Sequence, residues 1–253
     1  MDSSLEVRVD SYRNWTLTAG NLVGLAGMAL ALTLVAVGEV SWHWLLPWPL
    51  LHLFNAVMVS AGLHRYFSHG SFKTSPFWHR FIALYSVTLQ YGSPYAWAVA
   101  HTTHHVHSDT DRDPHFVGLS YLLTKRYIPV PMVQTRLRRI SGDPVLDFVH
   151  RHWLSLWAIW AGLLLALSPT VFLYLYLLPM GSAHLAGAVH QVVSHRGGAP
   201  RTLPWLELVC PTGGEWLHGT HHDHPRRTSF RTRWWHIDPG AAFVRLIQTK
   251  GPG

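Results

Sequence analysis

The sequence predicts an all-α membrane protein with four transmembrane helices and a cap on one side of the membrane, in one domain that covers residues 1–253. Hydrophobic residues make up 48% of the chain and charged residues 13%, about half the charged share of soluble globular proteins. Thirteen tryptophans and nine tyrosines add rings of the kind that gather at membrane interfaces. The third observation is the placement of lysine and arginine relative to the apolar segments.

Four segments have the length and apolar character of helices that cross a bilayer, which takes roughly 20 residues each. They cover residues 18–40, 42–63, 153–167 and 170–193. The first contains small residues that let helices pack closely, namely Gly20, Gly24 and Gly27. Ser168 and Pro169 predict a tight turn between the last two segments.

A further apolar stretch, residues 77–100, is interrupted by Gly92, Ser93 and Pro94. It predicts an interfacial or partly inserted helix followed by a turn. It is not counted as a span, because a fifth crossing would put the second and third histidine motifs described below on opposite sides of the membrane.

The basic residues are distributed on one side of this arrangement. All 20 lysines and arginines lie before the first span, within residues 65–151, or from residue 196 onwards. The positive-inside rule makes that side, with both termini and the cap, cytoplasmic. A soluble four-helix bundle does not predict this distribution. The net charge of +7 is scattered among apolar helices, which argues against a nucleic-acid-binding face.

Histidine is the residue type that carries the chemistry, with 20 copies in the chain. Eight of them form three motifs: HRYFSH at 64–69, HTTHH at 101–105 and HGTHH at 218–222. In a helix, the pattern HxxHH puts its histidines on one face. Residues five apart lie about 140° apart around an α-helix. The second span is therefore expected to end or unwind around residues 66–68, so that His64 and His69 turn towards a common point.

Clustered imidazoles predict a metal site, because neutral imidazole binds iron, copper and zinc. Eight imidazoles are too many for one ion, so two metal ions are the simpler interpretation. Closed tetrahedral zinc gives no reason for a second ion, whereas two irons can activate oxygen. Cys210 is the only cysteine, which excludes a cysteine-based zinc or iron–sulfur site within one chain.

With their flanking residues, the three motifs resemble the histidine boxes of the membrane fatty acyl desaturases, in particular the acyl-CoA desaturases that act at carbon nine. The first motif is followed by SFKT at 71–74, and the second by the acidic segment SDTDRDPH at 108–115. The third is part of GEWLHGTHH at 214–222, and WWHIDP at 234–239 resembles the segment beyond it. The likeness covers most of the chain. It departs from the family's usual residues at Gly70, Thr102, Leu217 and Gly219.

The resemblance implies a ninth ligand, because an Asn-x-x-x-His pair at the end of the family's fourth span supplies a histidine and an asparagine that holds a metal-bound water. Here Gln191 stands in the place of that asparagine, four residues before His195. The implied metal ligands are His64, His69, His101, His104, His105, His195, His218, His221 and His222. The candidates to hold a metal-bound water or to orient the ligands are Gln191, Asp109, Asp111, Asp113 and Glu215.

Helical geometry supports His195 over two neighbouring histidines. His190 points roughly 140° away from His195 around the helix. His184 shares the face of His195 but lies about 16 Å further along the helix, too far to bind the same metal pair.

The resemblance implies an enzyme that uses dioxygen and two irons to introduce a cis double bond into a long-chain acyl group, near carbon nine. Its acyl carrier is coenzyme A, acyl carrier protein or a lipid. No haem domain is fused, so a separate ferredoxin, rubredoxin or cytochrome with its reductase is implied as electron donor. Basic residues, Arg136 and Arg138 among them, are candidates for contacts with lipid headgroups or an acidic carrier. The lack of a haem domain and of long tails favours a bacterial plasma membrane.

Two alternatives stay open. A related di-iron hydroxylase, acetylenase or ketolase on a lipid or carotenoid would share the metal site and differ in the steps after the first hydrogen abstraction. A histidine-rich metal transporter would place ionisable groups along a path through the spans. Only Glu39 and a few histidines lie in or near them.

Overall fold

The computed structural model describes residues 3–114 and 139–249, with side chains from residue 18 onwards. His115, Arg136 and Arg138 lie outside the described residues. The described residues form helices, with two isolated bridges and no β-strand, which confirms the all-α class. The helices are α1 (Ser3–Ala36), α2 (Trp48–Val57) continued by a π-helix (Met58–His69), α3 (Pro76–Leu89), α4 (Pro94–His107), α5 (Pro144–Leu167), α6 (Pro169–Ser194), α7 (His218–Asp223) and α8 (Pro239–Ile247).

Three helical segments in the described part of the chain are long and apolar enough to cross a membrane. They are Thr18–Ala36, Trp42–His69 and Pro169–Ser194. Three of the four predicted spans coincide with them. The remaining one, residues 153–167, is the second half of α5. Because the first half of α5 carries Asp147 and Arg151, the whole helix does not reach the apolar character of the other three.

Five helices begin in the same way, with a serine or aspartate followed by proline. The side chain of the first residue accepts a hydrogen bond from a backbone N–H of the first helical turn, and proline fits the first helical position because that position has no hydrogen-bond acceptor for an N–H. The capping residues are Ser75, Ser93, Asp143, Ser168 and Asp238. Ser168 separates α5 from α6, as predicted, and the expected interruption at Gly92, Ser93 and Pro94 divides residues 77–100 between two helices, α3 and α4.

Close packing of α1 on α6 depends on glycine. A Cβ added to Gly24 would lie 3.0 Å from the Cα of Gly181 and 2.9 Å from the side chain of Met180. A Cβ added to Gly27 would lie 2.6 Å from the Cβ of Leu177. This confirms that small residues in the first span let the helices approach, and it fixes α6, which carries part of the site.

The main apolar core lies around the π-helix. Met58, Leu63 and Phe67 are buried there against side chains of α3, α4 and α5, including Ile82 and Trp153. The first histidine motif therefore stands on a helix that is packed on several sides.

Candidate metal centre

The nine histidines implied as ligands come together in two groups. The five-histidine group consists of His64, His69, His101, His105 and His221, and the four-histidine group of His104, His195, His218 and His222. In each group, one ring nitrogen per residue lies within 4.8 Å of the corresponding nitrogens of all the others.

His64 and His69 reach the same group because the helix that carries them is a π-helix. The second span ends within one residue of the expected 66–68, but it does not unwind there. The helical winding continues to His69 and ends at Gly70, whose φ of 60° is left-handed. In a π-helix the backbone of residue i pairs with that of residue i+5, so residues five apart lie nearly above one another. The wider winding aligns the two histidines, and their ring centroids are 5.0 Å apart.

The two HxxHH motifs each divide their histidines between the groups. On α4, His101 and His105 belong to the five-histidine group and His104 to the other. On α7 the division is reversed, because His218 and His222 belong to the four-histidine group and His221 belongs to the five-histidine group. Each helix therefore fixes the two groups relative to one another.

The nitrogens have the spacing of ligands around an ion. The Nε2 atom of His105 lies 2.7 Å from that of His221 and 3.0 Å from that of His101. In the second group, the Nε2 of His218 lies 2.7 Å from that of His195 and 3.1 Å from that of His222. Two nitrogens bound at right angles to one ion at ~2.1 Å lie ~3 Å apart. The donor set thus fits two metal ions.

The protonation state of the histidines also fits metal binding. Burial lowers the pKa of His101, His218 and His221 well below 6.5, and each has other imidazoles beside it that lower the pKa further. Burial likewise lowers the pKa of His105 to about 2. A neutral imidazole has a free lone pair, which is the form that a metal binds.

Three carboxylates contact the outer nitrogens of the groups. The Nδ1 atom of His64 lies 2.7 Å from Glu215, that of His104 lies 2.8 Å from Asp113, and that of His195 lies 3.1 Å from Asp109. A carboxylate that accepts a hydrogen bond from the Nδ1–H fixes the tautomer in which Nε2 has its lone pair towards the group. Asp111 is exposed, and in the described part of the chain it has no hydrogen bond or ion pair with either group.

The role of Arg65 was not foreseen from the sequence. Its side chain is fully buried, with Nη2 3.0 Å from Asp238 and Nη1 3.4 Å from Glu215, and its guanidinium lies 3.8 Å from the centre of the Phe230 ring. Ser60 contacts both Arg65 and Glu215. Arg65 thus ties the first motif to the carboxylate that supports His64 and to the Asp238 that caps α8. The sequence hinted at this role only through the position of Arg65, directly after His64 in the first motif.

Glu207 is a second residue that the sequence did not single out. Its buried carboxylate accepts hydrogen bonds from the Thr212 N–H at 2.9 Å, the Thr212 hydroxyl at 2.8 Å and the Gly213 N–H at 2.8 Å. These bonds hold the loop that leads into Glu215.

Replacing Glu207 with glutamine should reduce the pH dependence of stability. Burial raises the pKa of this carboxyl from 4.5 to about 7. Between pH 4.5 and about 7 this carboxyl is protonated in the native protein and ionised in the unfolded chain. The free energy of unfolding therefore falls as the pH rises through this range, by at most about 3 kcal/mol. Thermal unfolding of the wild type and of Glu207→Gln at about pH 5 and about pH 8 measures the difference. An equal change with pH in both proteins would contradict this role of Glu207.

Gln191 lines a cavity of about 80 Å³ together with His64, His101 and His218, and among the described residues no hydrogen bond joins its side chain to either histidine group. His190 also lines the cavity, and its Nε2 donates to the Glu215 carbonyl at 2.8 Å. It lies close to His218 but outside both groups. His184 bonds to the Leu89 carbonyl and also lies outside them, in agreement with the helical geometry.

The cavity also has an apolar part, bordered by residues of α2 and α6. It is lined there by small or ring-bearing side chains, namely Ala56, Val59, Tyr91, Trp97, Ala183 and Gly187. A water takes roughly 10–15 Å³ by the same measure, so the cavity holds only a short segment of a long apolar ligand.

Comparisons with known proteins identify relatives that are named as desaturases. No family model matches the chain. The sn-2 palmitoyl-lipid 9-desaturase of Nostoc sp. is 29% identical over 255 residues, which cover 89% of this chain and 85% of that protein. The sn-1 stearoyl-lipid 9-desaturase of Anabaena variabilis is 26% identical, with 76% of each chain covered. Acyl-CoA desaturase 1 of Saccharomyces cerevisiae is 25% identical, with 78% of this chain and 42% of the yeast protein covered.

Proposed function

Because the chain belongs to the membrane fatty acyl desaturases, an oxidoreductase family, we propose that it introduces a cis double bond near carbon nine of a long-chain acyl group. The single observation that carries the proposal is the pair of histidine groups beside an apolar cavity. The cavity provides a place where a methylene segment lies next to the metal-binding nitrogens.

We assign the nine histidines of the two groups as ligands of two iron ions, with the carboxylates of Asp109, Asp113 and Glu215 orienting three of them. Two irons held there would supply the redox chemistry that couples dioxygen to the removal of two hydrogens from neighbouring methylenes. The acyl chain gives two electrons and two protons, an external donor gives two more electrons, and two further protons complete the reduction of dioxygen to two waters.

The residues of the chain position the substrate and keep water away. Ala183 and Gly187 border the cavity along α6, and the Tyr91 hydroxyl, which lies against Gly187, donates a hydrogen bond to the Ala183 carbonyl at 3.2 Å. An oriented segment beside the ligands removes much of the entropic barrier to reaction at an unactivated carbon. Gln191 lines the same cavity and would contact a metal-bound water from that side.

The proposed topology has four spans, with the second half of α5 as the third. Its outward side chains are apolar and exposed, as expected where a helix faces lipid: Leu154, Ile159, Leu163, Leu165 and Leu167. The distribution of lysine and arginine then puts the histidine groups on the cytoplasmic side, in the plasma membrane if the source is bacterial. A separate ferredoxin, rubredoxin or cytochrome reaches them there.

The test is the fatty-acid profile of a host that expresses the chain, measured by mass spectrometry with localisation of double bonds, beside the same host without the gene. A new monounsaturated species with its double bond near carbon nine is the expected result. A hydroxylated or keto product would contradict desaturation and favour the related oxygenases. No new product from iron-loaded protein supplied with an electron donor would contradict the acyl substrate.

Replacing Asp113 with asparagine should weaken iron binding by about 10–100-fold, because loss of a carboxylate that orients a ligand histidine costs roughly that much. Asp113 is buried and bonds to His104 through both of its oxygens, at 2.8 and 2.9 Å. The matched control is Asp111→Asn, two residues away and exposed. Competition with a chelator, followed by iron content per chain, measures the affinity. Equal affinities of the two variants would rule out the assigned role.

A further inference from the structure

A second, larger opening lies on the side of the helix bundle. This side groove has a volume of about 460 Å³ and is bordered by Trp48 and His52 of α2, Ser182 and Ala186 of α6, and the loop residues Cys210 and Pro211. Its surface is almost wholly apolar. The helices that border it include all three candidate membrane spans, since Met28 of α1 also reaches it. In a bilayer the groove therefore opens to the hydrocarbon of lipids.

The loop beside the groove also has the character of a lipid-facing surface. Trp205, Leu208 and Val209 are more than half exposed, and Val209 borders the groove. Large exposed apolar side chains that stand together mark a surface for apolar contact. The mouth of the groove is thus surrounded by side chains that favour lipid.

The side groove and the histidine-lined cavity lie on neighbouring faces of α6. Ser182 and Ala186 border the groove, whereas Ala183 and Gly187, each one residue later, border the cavity. One residue corresponds to a rotation of about 100° around a helix. Pro211 borders both spaces. The partition between them therefore includes small residues of α6 and this loop.

Hydrogen bonds hold the partition closed. The Nε2 of His52 donates to the Pro211 carbonyl at 3.0 Å, and its Nδ1 lies 2.8 Å from the Ser182 hydroxyl. Trp48 donates its indole N–H to the same hydroxyl at 2.8 Å. These polar groups satisfy one another, so the groove presents hydrocarbon to its contents. The hydrogen bond between His52 and Pro211 joins α2 directly to the loop that leads to Glu215.

We propose that the side groove admits an acyl chain of a membrane lipid, still esterified to its headgroup, sideways into the histidine-lined cavity, with the His52–Pro211 hydrogen bond as the closure. The proposal rests on the desaturase function and names its substrate class. A chain that enters through the side stays in hydrocarbon, and no methylene has to pass through water. The cavity alone holds only a short segment, and the adjoining groove takes the carboxyl end of a chain that is esterified to a membrane lipid.

Cys210 provides a test that does not depend on a folded variant, because it is the only cysteine and it borders the groove. Its burial raises the pKa of the thiol, so a bulky maleimide is attached to the folded, iron-loaded protein at mildly alkaline pH. Turnover with an electron donor is then measured on distearoyl phosphatidylcholine in vesicles and on stearoyl-CoA. We expect alkylation to lower lipid desaturation at least tenfold and stearoyl-CoA turnover less than twofold. The Cys210→Ser variant, compared with itself before and after the reagent, should not respond.

A second comparison fills the groove by mutation. Ala186→Trp places an indole in it, and Leu163→Trp adds the same side chain to the exposed face of α5 as control. We expect Ala186→Trp to lower desaturation of the lipid-bound chain at least tenfold, and Leu163→Trp not to lower it.

Retained lipid desaturation after alkylation, or equal losses on both substrates, would overturn the side entrance. Unmodified protein that acts on stearoyl-CoA alone would overturn it while leaving the desaturase function intact. Protein that converts neither substrate would refute the desaturase function itself.

Discussion

Replacing His105 with alanine should lower turnover by more than roughly 100-fold, since loss of a residue that merely supports a ligand already costs 10–100-fold. The Nε2 of His105 lies within 3.0 Å of the Nε2 atoms of both His101 and His221, so it joins the second and third motifs. The ring is half-buried at the end of α4, and its removal leaves the helix and its core contacts in place. The protein should therefore still accumulate in the membrane.

The matched control is His107→Ala, on the same helix and outside both histidine groups. Product formation and iron content per chain are measured for both variants at equal protein amounts. The His105 variant should lose activity and iron, and the His107 variant should keep both. Full turnover by the His105 variant would refute the assignment of the five-histidine group as a metal site.

The second large effect is expected from Arg65→Ala, which should destabilise the protein by about 3–5 kcal/mol. Removing the guanidinium leaves the carboxylates of Glu215 and Asp238 buried without their cation. An uncompensated buried charge is more costly than the lost attraction alone. Because Asp238 also caps α8 and Glu215 supports His64, the loss should reach both the carboxyl-terminal helix and the metal centre.

Thermal unfolding in detergent, followed by tryptophan fluorescence, measures this loss, with the exposed Arg80→Ala as the matched control. Arg65→Lys should recover only part of the stability, because an ammonium group cannot reach two carboxylates with the planar geometry of a guanidinium. If Arg65→Ala unfolded at the same temperature as Arg80→Ala, the buried ion pairs would contribute no net stability.

The sequence predicted the all-α class and the eight histidines of the three motifs because both depend on local patterns, whereas His195 was implied by the resemblance to the desaturases. Apolar segments, the turn at Ser168 and Pro169, and HxxHH spacing can be recognised without knowing what packs against them. The nearby carboxylates Asp109 and Asp113 could be proposed because they lie shortly after the second motif along the chain. Their partners could not, since His195 meets Asp109 from a different helix.

The features that the sequence did not predict depend on burial and on contacts between distant segments. Arg65 is a charged residue in a motif of metal ligands, and only the fold shows that it faces two carboxylates, 150 and 173 residues further along the chain. Asp111 and Asp113 are both aspartates in the acidic segment after the second motif, yet Asp111 is exposed and Asp113 is buried. The continuation of α2 as a π-helix was missed because its residues also suit an α-helix, and the winding is selected by packing.

That winding makes the number of residues between Met58 and His69 matter as much as their identity. Apolar substitutions that keep the volume should be tolerated on the buried faces of this segment. Deletion of a single residue between Met58 and His64 would rotate both histidines of the first motif by roughly 100° relative to the helix that precedes them. A chimera, or a natural variant with a one-residue gap here, would therefore lose its first pair of histidines even though every motif letter and the hydropathy profile were preserved.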